Sequence, residues 1–262
     1  MRIVWATDTH FDMADPPAIQ RFFRALQDAR PDAILLTGDI STAGDVDATV
    51  EWIESEVSCP VFFVLGNHDY YGGSIGSVRR RMRALTARSR TVKWLPAVPG
   101  AIDLGGRAIL IGHDGWYDAG HGDVNSTVQL RDFEEIDDLA GLHREGRLRL
   151  IRGLAEDGAD HLAGLLASST ASTILVATHV PPFPEASRYR GERSSAATLP
   201  FYCNASLGRI LTDFAIEREG VAVRVLCGHT HDQVDVSILP NLLVSVGAAE
   251  YGHPRIAGTI DI

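Results

Sequence analysis

The stretch VFFVLGNHDYYGG, Val61 to Gly73, decides the fold. Five apolar residues, most of them β-branched or aromatic, run without a polar transition into Gly66, Asn67, His68 and Asp69. Such a run, bounded by turn residues, reads as a buried strand that carries polar chemistry to its tip. Four other runs end the same way: RIVWAT before Asp8 and His10, AILLT before Gly38 and Asp39, STILVAT before His179, and VRVLC before Gly228, His229, Thr230 and His231. Helical patterns from about Pro17 to Ala29 and Asp45 to Glu56 separate the first three, so the chain opens βαβαβ. Later come a hairpin through Gly105 and Gly106, helices from about Arg152 to Ser168 and Ser206 to Glu217, and a strand in LLVSVGAAE. The class is α/β, strand-rich towards the end. In open α/β sheets ligands bind outside the carboxyl ends of the strands, where tips distant in sequence converge.

The bulk properties limit what such a site serves. With 262 residues, 45% hydrophobic and 22% charged, the chain reads as a single globular domain over 1–262, with candidate cap insertions at about 114–150 and 181–204. A formal net charge of -10 opposes nonspecific grip on nucleic acid or anionic lipid, which needs an excess of Lys and Arg. Three cysteines, Cys59, Cys203 and Cys227, have no close-paired spacing and suggest neither a disulfide framework nor a thiolate zinc site. The first residues read as a strand rather than a signal peptide, and no long uncharged apolar run follows, so the expectation is a cytoplasmic, unanchored protein.

The residues at the tips name the chemistry. Asp8 and His10, like His229 and His231, sit two apart, which in extended chain aims both side chains to one side. With Asp39, Asn67 and His179 they make seven N and O donors with no thiolate, a set suited to Mn, Fe or Zn in a reactive site. Seven donors exceed one ion's need. Two metals sharing the Asp39 carboxylate would use them all, and a pair of ions clamps the attacking and leaving oxygens in phosphoryl displacement.

The five blocks Asp8-Thr9-His10, Gly38-Asp39, Gly66-Asn67-His68-Asp69, His179 and Gly228-His229-Thr230-His231 resemble, in order, the pattern of the calcineurin-like metallophosphoesterases. The resemblance spans residues 8 to 231. It implies a four-layer α/β/β/α sandwich of two mixed β-sheets flanked by helices. It also implies one metal held by Asp8, His10, Asp39 and His231, and another by Asp39, Asn67, His179 and His229. His68 then faces the scissile phosphate as general acid, a hydroxide bridging the metals is the nucleophile, and Asp69 orients the turn or His68. Taken singly, each block has an ordinary reading as a turn residue or a half-buried histidine; their coincidence overrides it.

Other features read as ordinary. His113, His121, His143, His161 and His253 are expected to be structural or exposed, and Cys227 to be a small buried hydrophobe. The run RRRMRALTARSR, Arg79 to Arg90, reads as a solvated helix face, with steering of an anionic substrate as the lesser alternative, and RDFEEIDD at 131–138 reads as surface. The expected substrate is a small, nucleotide-like phosphodiester, with Trp116, Tyr117 and Tyr202 as candidates to rest against its flat group. Gly38-Asp39 continues as Ile40-Ser41-Thr42 without the Asp-Arg pair of phosphoprotein phosphatases. A phosphomonoesterase or phosphoprotein phosphatase, a nuclease and a non-catalytic scaffold are the alternatives.

Overall fold

Side chains along the first strand, β1 (Arg2–Ala6), alternate between two cores. Val4 and Ala6 share a core with Phe22, Phe23 and Leu26 of helix α1 (Pro16–Ala29), whereas Ile3 and Trp5 share another with Leu110, Leu175 and Leu226 of a second sheet. The period-2 alternation of a strand thus divides one sequence between a helix-facing and a sheet-facing layer.

This computed structural model describes residues 1–262. After β1 and α1 come β2 (Ala33–Thr37), α2 (Val46–Glu56), β3 (Val61–Val64), α3 (Ile75–Arg88) and β4 (Val92–Trp94). The middle of the chain supplies β5 (Ile102–Gly105), β6 (Ala108–Gly112), the short α4 (Asp132–Glu135), α5 (Arg144–Ser168) and β7 (Thr173–Ala177). The remainder comprises β8 (Arg188–Tyr189), β9 (Glu192–Arg193), α6 (Leu199–Tyr202), α7 (Ala205–Glu217), β10 (Ala222–Cys227), β11 (Val234–Leu239), β12 (Leu242–Val246) and β13 (Ile256–Asp261).

One sheet has the order β13-β1-β2-β3-β4, the other β11-β12-β10-β7-β6-β5. Both are mixed: β13, β11 and β5 pair antiparallel to their neighbours and the remaining pairings within the two sheets are parallel. The first sheet packs under α1, α2 and α3, the second under α5 and α7, and the sheets meet through a third core, giving the four layers expected. Parallel pairing brings the carboxyl ends of neighbouring strands to one level, as in Ala6 beside Leu36, Thr37 beside Val64 and Ala177 beside Leu226. No helix is long and apolar enough to cross a membrane.

Three expectations are corrected. Helix α5 begins at Arg144, not near Arg152, so the end of the 114–150 segment is helical; Gly146 and Gly153 obscure the pattern without breaking it. Arg79 is not on a solvated face: it is buried, with Nε 3.3 Å from the Tyr70 hydroxyl and 3.5 Å from Asp114 Oδ2. Arg81 and Arg88 of the same run pair with Asp47 and Glu51 on α2, so much of its charge is matched within the molecule. RDFEEIDD is likewise not all surface, because Asp132 is 2% exposed.

Candidate metal centre

The strand tips are tied to one another by backbone. Asp8 and His10 donate their N–H groups to the carbonyls of Gly38 and Asp39, and the His229 N–H donates to Asp8 Oδ1 at 3.0 Å. Asp8, His10, Asp39, His229 and His231 all have φ between 40° and 71°, so neither two-apart pair is extended as its spacing suggested, and His229 and His231 face different donor groups. Left-handed backbone at non-glycine residues is uncommon and costs about 1–3 kcal/mol each, and it clusters at functional sites. Two glycines allow the tips to approach: a Cβ on Gly38, itself at φ 93°, would stand 2.6 Å from both Gly66 N and His179 Nδ1, and one on Gly228 would collide with the Asp8 carboxylate and the Thr7 hydroxyl.

The seven expected ligands are brought together in two groups. Donor atoms of Asp8, His10, Asp39 and His231 all lie within 4.8 Å of one another. Within that group, His231 Nε2 is 3.4 Å from Asp8 Oδ1, and His10 Nε2 is 3.5 Å from His231 Nε2 and 3.8 Å from Asp39 Oδ2. The second group centres on Asn67 Oδ1, 3.1 Å from His179 Nε2 and 3.0 Å from His229 Nδ1; His179 Nε2 is also 3.4 Å from Asp39 Oδ1. Two donors each about 2.1 Å from one ion lie roughly 3.0–3.4 Å apart, so these separations fit cation binding. Asp39 turns one oxygen towards each group.

Hydrogen bonds fix the ring tautomers. His179 Nδ1 stands 2.9 Å from the Thr37 carbonyl and His229 Nε2 2.9 Å from the Phe201 carbonyl. A carbonyl only accepts, so each of these nitrogens carries a proton, and in the neutral ring the lone pair is left on the opposite nitrogen, which faces the centre.

The charged groups of the centre are strongly perturbed, in both directions. Burial works against charge on Asp39, but His179 and His68 outweigh it and hold the carboxyl well below the ordinary 3.8. Burial pushes His10 down to about 4 against the pull of Asp39 and Asp8, and burial followed by repulsion from His179 pushes His229 down to about 4. Burial also opposes charge on His179, yet Asp39 beside it wins and raises the ring to about 10, so a cation binding here must displace the proton on Nε2. Ionised carboxylates surrounded by imidazoles, two of which resist protonation, are suited to a cation.

Asp69 holds the turn after β3: Oδ1 accepts from the N–H groups of Ile40 (2.8 Å) and Ser41 (2.9 Å), and Oδ2 from Gly66 (2.8 Å). Burial and then the Asp39 carboxylate push its pKa up, and these donors work the other way. His68 is oriented by rings. It stacks on Tyr71 at 4.2 Å and 24° and meets His10 edge-on at 4.7 Å, while its Nδ1 has no partner.

A cleft of about 540 Å³ opens over these groups. Asp39, Asn67, His68, His229 and His231 form its floor, and its walls include Met13, Tyr71, Gln129 to Asp132, Tyr189, Tyr202 and Tyr251. Tyr202, an expected substrate residue, lines it. Trp116 and Tyr117 do not: they are 2% and 0% exposed and pack in the helix-side core. They follow β6 inward, and Tyr117 spends its hydroxyl on Asp132.

Asp132 and Tyr251 were missed at the level of sequence. Asp132 lies in a charge run that looks like surface. Tyr251 follows the last motif by twenty residues, with no local signal that its ring lies 4.6 Å from His10 and 4.9 Å from His231.

A sequence model described as calcineurin-like phosphoesterase matches residues 1–233. A UDP-2,3-diacylglucosamine hydrolase of Stenotrophomonas maltophilia (strain K279a) is 29% identical over 125 residues, which is 43% of this chain and 46% of that protein, less than half its length. Among solved structures, a phosphopantetheinyl hydrolase from Mycobacterium tuberculosis superposes with a TM-score of 0.68 at 12% identity, covering 95% of this chain and 89% of the other. A dimetal phosphatase from Danio rerio superposes with a TM-score of 0.60 at 15% identity, covering 99% and 91%. At these identities the superpositions speak for the fold.

Proposed function

Because the chain belongs to the calcineurin-like phosphoesterase family, we propose that it hydrolyses small phosphodiesters with the help of two metal ions, of which Mn, Fe and Zn suit the donors. The observation that carries the two-ion reading is Asp39, whose Oδ2 faces His10 and whose Oδ1 faces His179. Asp8, His10, Asp39 and His231 would hold one ion, and Asp39, Asn67, His179 and His229 the other. Bound there, such ions would supply positive charge against the phosphoryl oxygens and would acidify a water towards neutrality. His68, at the cleft floor, is assigned to hand a proton to the leaving oxygen. Asp69 keeps the turn that carries both Asn67 and His68.

The preference for a diester rests on the charge of the cleft. Its carboxylates are Asp39 and Asp132, and its only Arg or Lys is Arg131, whose guanidinium is 2.9 Å from Glu135. A diester brings one negative charge where a monoester near neutral pH brings up to two, so the diester meets less repulsion, by a modest margin because two cations would dominate the local field. Its second substituent has Tyr71, Tyr189, Tyr202 and Tyr251 to rest against. A relative named for a UDP-bearing compound agrees with a nucleotide-like group there. The net charge of -10 speaks against nucleic acid as the partner, and three free cysteines fit a reducing, cytoplasmic setting.

Kinetics with bis(nitrophenyl) phosphate and nitrophenyl phosphate under matched metal and pH test this reading, alongside elemental analysis. The diester is expected to show the higher kcat/KM and the protein to retain two ions per chain. A tenfold or greater preference for the monoester overturns the diesterase assignment alone. A single retained ion overturns the two-ion reading.

A further inference from the structure

Two carboxylates line the cleft, and only Asp39 has a ligand role. Asp132 stands behind the second donor group, 2% exposed, and three groups donate to it. Asn67 Nδ2 lies 3.0 Å and the Tyr71 hydroxyl 2.6 Å from Oδ1; the Tyr117 hydroxyl lies 2.7 Å from Oδ2. With donors on both its oxygens the carboxyl group acts here as acceptor, so it holds the Nδ2 end of the Asn67 amide. The other end, Oδ1, is thereby aimed at His179 Nε2 and His229 Nδ1.

At its Nδ2 end nothing else holds that amide so firmly. The only other acceptor near Nδ2 is the Tyr71 hydroxyl, whose 3.5 Å separation is at the outer limit of a hydrogen bond and whose proton goes to Asp132. Without the carboxylate the amide could turn over and present N–H groups to the site, where a cation needs a lone pair.

We propose that Asp132 is a positioning residue for the second cation, acting by fixing the orientation of the Asn67 carboxamide. The inference rests on the two-ion reading above. It gives the 114–150 segment a part in metal binding as well as in shaping the cleft wall.

Calorimetric titration of the metal-free protein with Mn(II) tests it, with thermal unfolding as a control for folding. The wild-type chain should take up two ions. Asp132→Ala should weaken the second by about 10–100-fold, the scale for losing a group that orients a ligand, while the first keeps its affinity. A reciprocal exchange removes any dependence on whether the alanine variant folds. Asn67→Asp alone sets two carboxylates against each other and should impair the second ion; adding Asp132→Asn restores the contact with donor and acceptor exchanged, and should recover at least tenfold in affinity. Unchanged second-ion affinity in Asp132→Ala, or no recovery in the exchange, overturns the inference and leaves the two-ion reading standing. Uptake of fewer than two ions by the wild-type protein overturns the reading itself.

Discussion

Replacing Asp69 by Asn tests whether this carboxylate works on the turn or on the reacting atoms. Its oxygens serve three backbone N–H groups, two on Oδ1 and one on Oδ2. An asparagine of the same shape keeps the Ile40 and Ser41 bonds if its carbonyl takes the Oδ1 place, but its NH₂ then meets the Gly66 N–H, donor against donor. The flipped amide is worse, setting two donors against the NH₂. One lost bond together with one buried N–H left unpaired amounts to about 2–4 kcal/mol. For a domain of this size that is roughly 5–15 °C in Tm. Alanine would leave all three donors unpaired, a loss of about 3–9 kcal/mol that approaches the whole stability of many domains, so Asn is the more informative change. Thermal unfolding and kcat are measured together on metal-loaded protein. A loss of stability on this scale, with activity falling because the Gly66-Asn67-His68 turn shifts, is the expected result. A Tm within about 2 °C of wild type with a loss in kcat of more than about 100-fold would refute the reasoning and place Asp69 on the reaction itself.

His68→Ala should keep its metals and lose roughly 10²–10⁴-fold in turnover, the scale of general acid catalysis. The loss should shrink for leaving groups such as nitrophenolate that need no proton, and an equal loss for good and poor leaving groups would assign His68 to stabilising the phosphoryl oxygens instead. His113, away from the centre, is held down to about 4 by burial, against the pull of Asp114. Its folded pKa lies below the ordinary 6.5, so its neutral burial supports the fold above that value, and this support is lost as pH falls from there through about 4. His113→Asn should therefore flatten the decline of Tm between neutrality and pH 4, and an unchanged profile would show that His113 is not among the groups driving acid unfolding.

Much of this architecture is legible in the sequence because fully buried parallel strands advertise themselves. AILLT and VFFV are buried at every position and end at Gly38-Asp39 and Gly66-Asn67-His68. The strands left unread behave differently. β11 and β13 lie at sheet edges with most of their residues at least partly exposed, and β4 has only three residues, so none presents a buried apolar run. The misread side chains share one cause: a charge or an aromatic ring was judged by its neighbours in sequence when its partners lie elsewhere. Arg79 is buried because Tyr70 and Asp114 receive it, Asp132 because Asn67, Tyr71 and Tyr117 donate to it. Trp116 and Tyr117 are aromatic beside a loop, as are Tyr202 and Tyr251, and no local pattern tells which pair enters the core.

The donor geometry depends on backbone more than on side-chain packing. Five of the seven donors sit on left-handed residues, a conformation each would leave if free. What holds them are bonds between tips: Asp8 to Gly38, His10 to Asp39, and the His229 N–H to the Asp8 carboxylate. Each bond joins the segments that follow different strands, and the last spans the two sheets, so the site exists only when both sheets are docked. Asp39 shows the economy of the arrangement. Its Oδ1 accepts from the His68 N–H at 2.8 Å while facing His179, so the residue that offers an oxygen to each donor group also anchors the turn bearing the proposed proton donor. Changes at Asp39 should therefore disturb metal binding and His68 together, whereas changes at Asp132 should reach the second ion through Asn67 and leave the first intact.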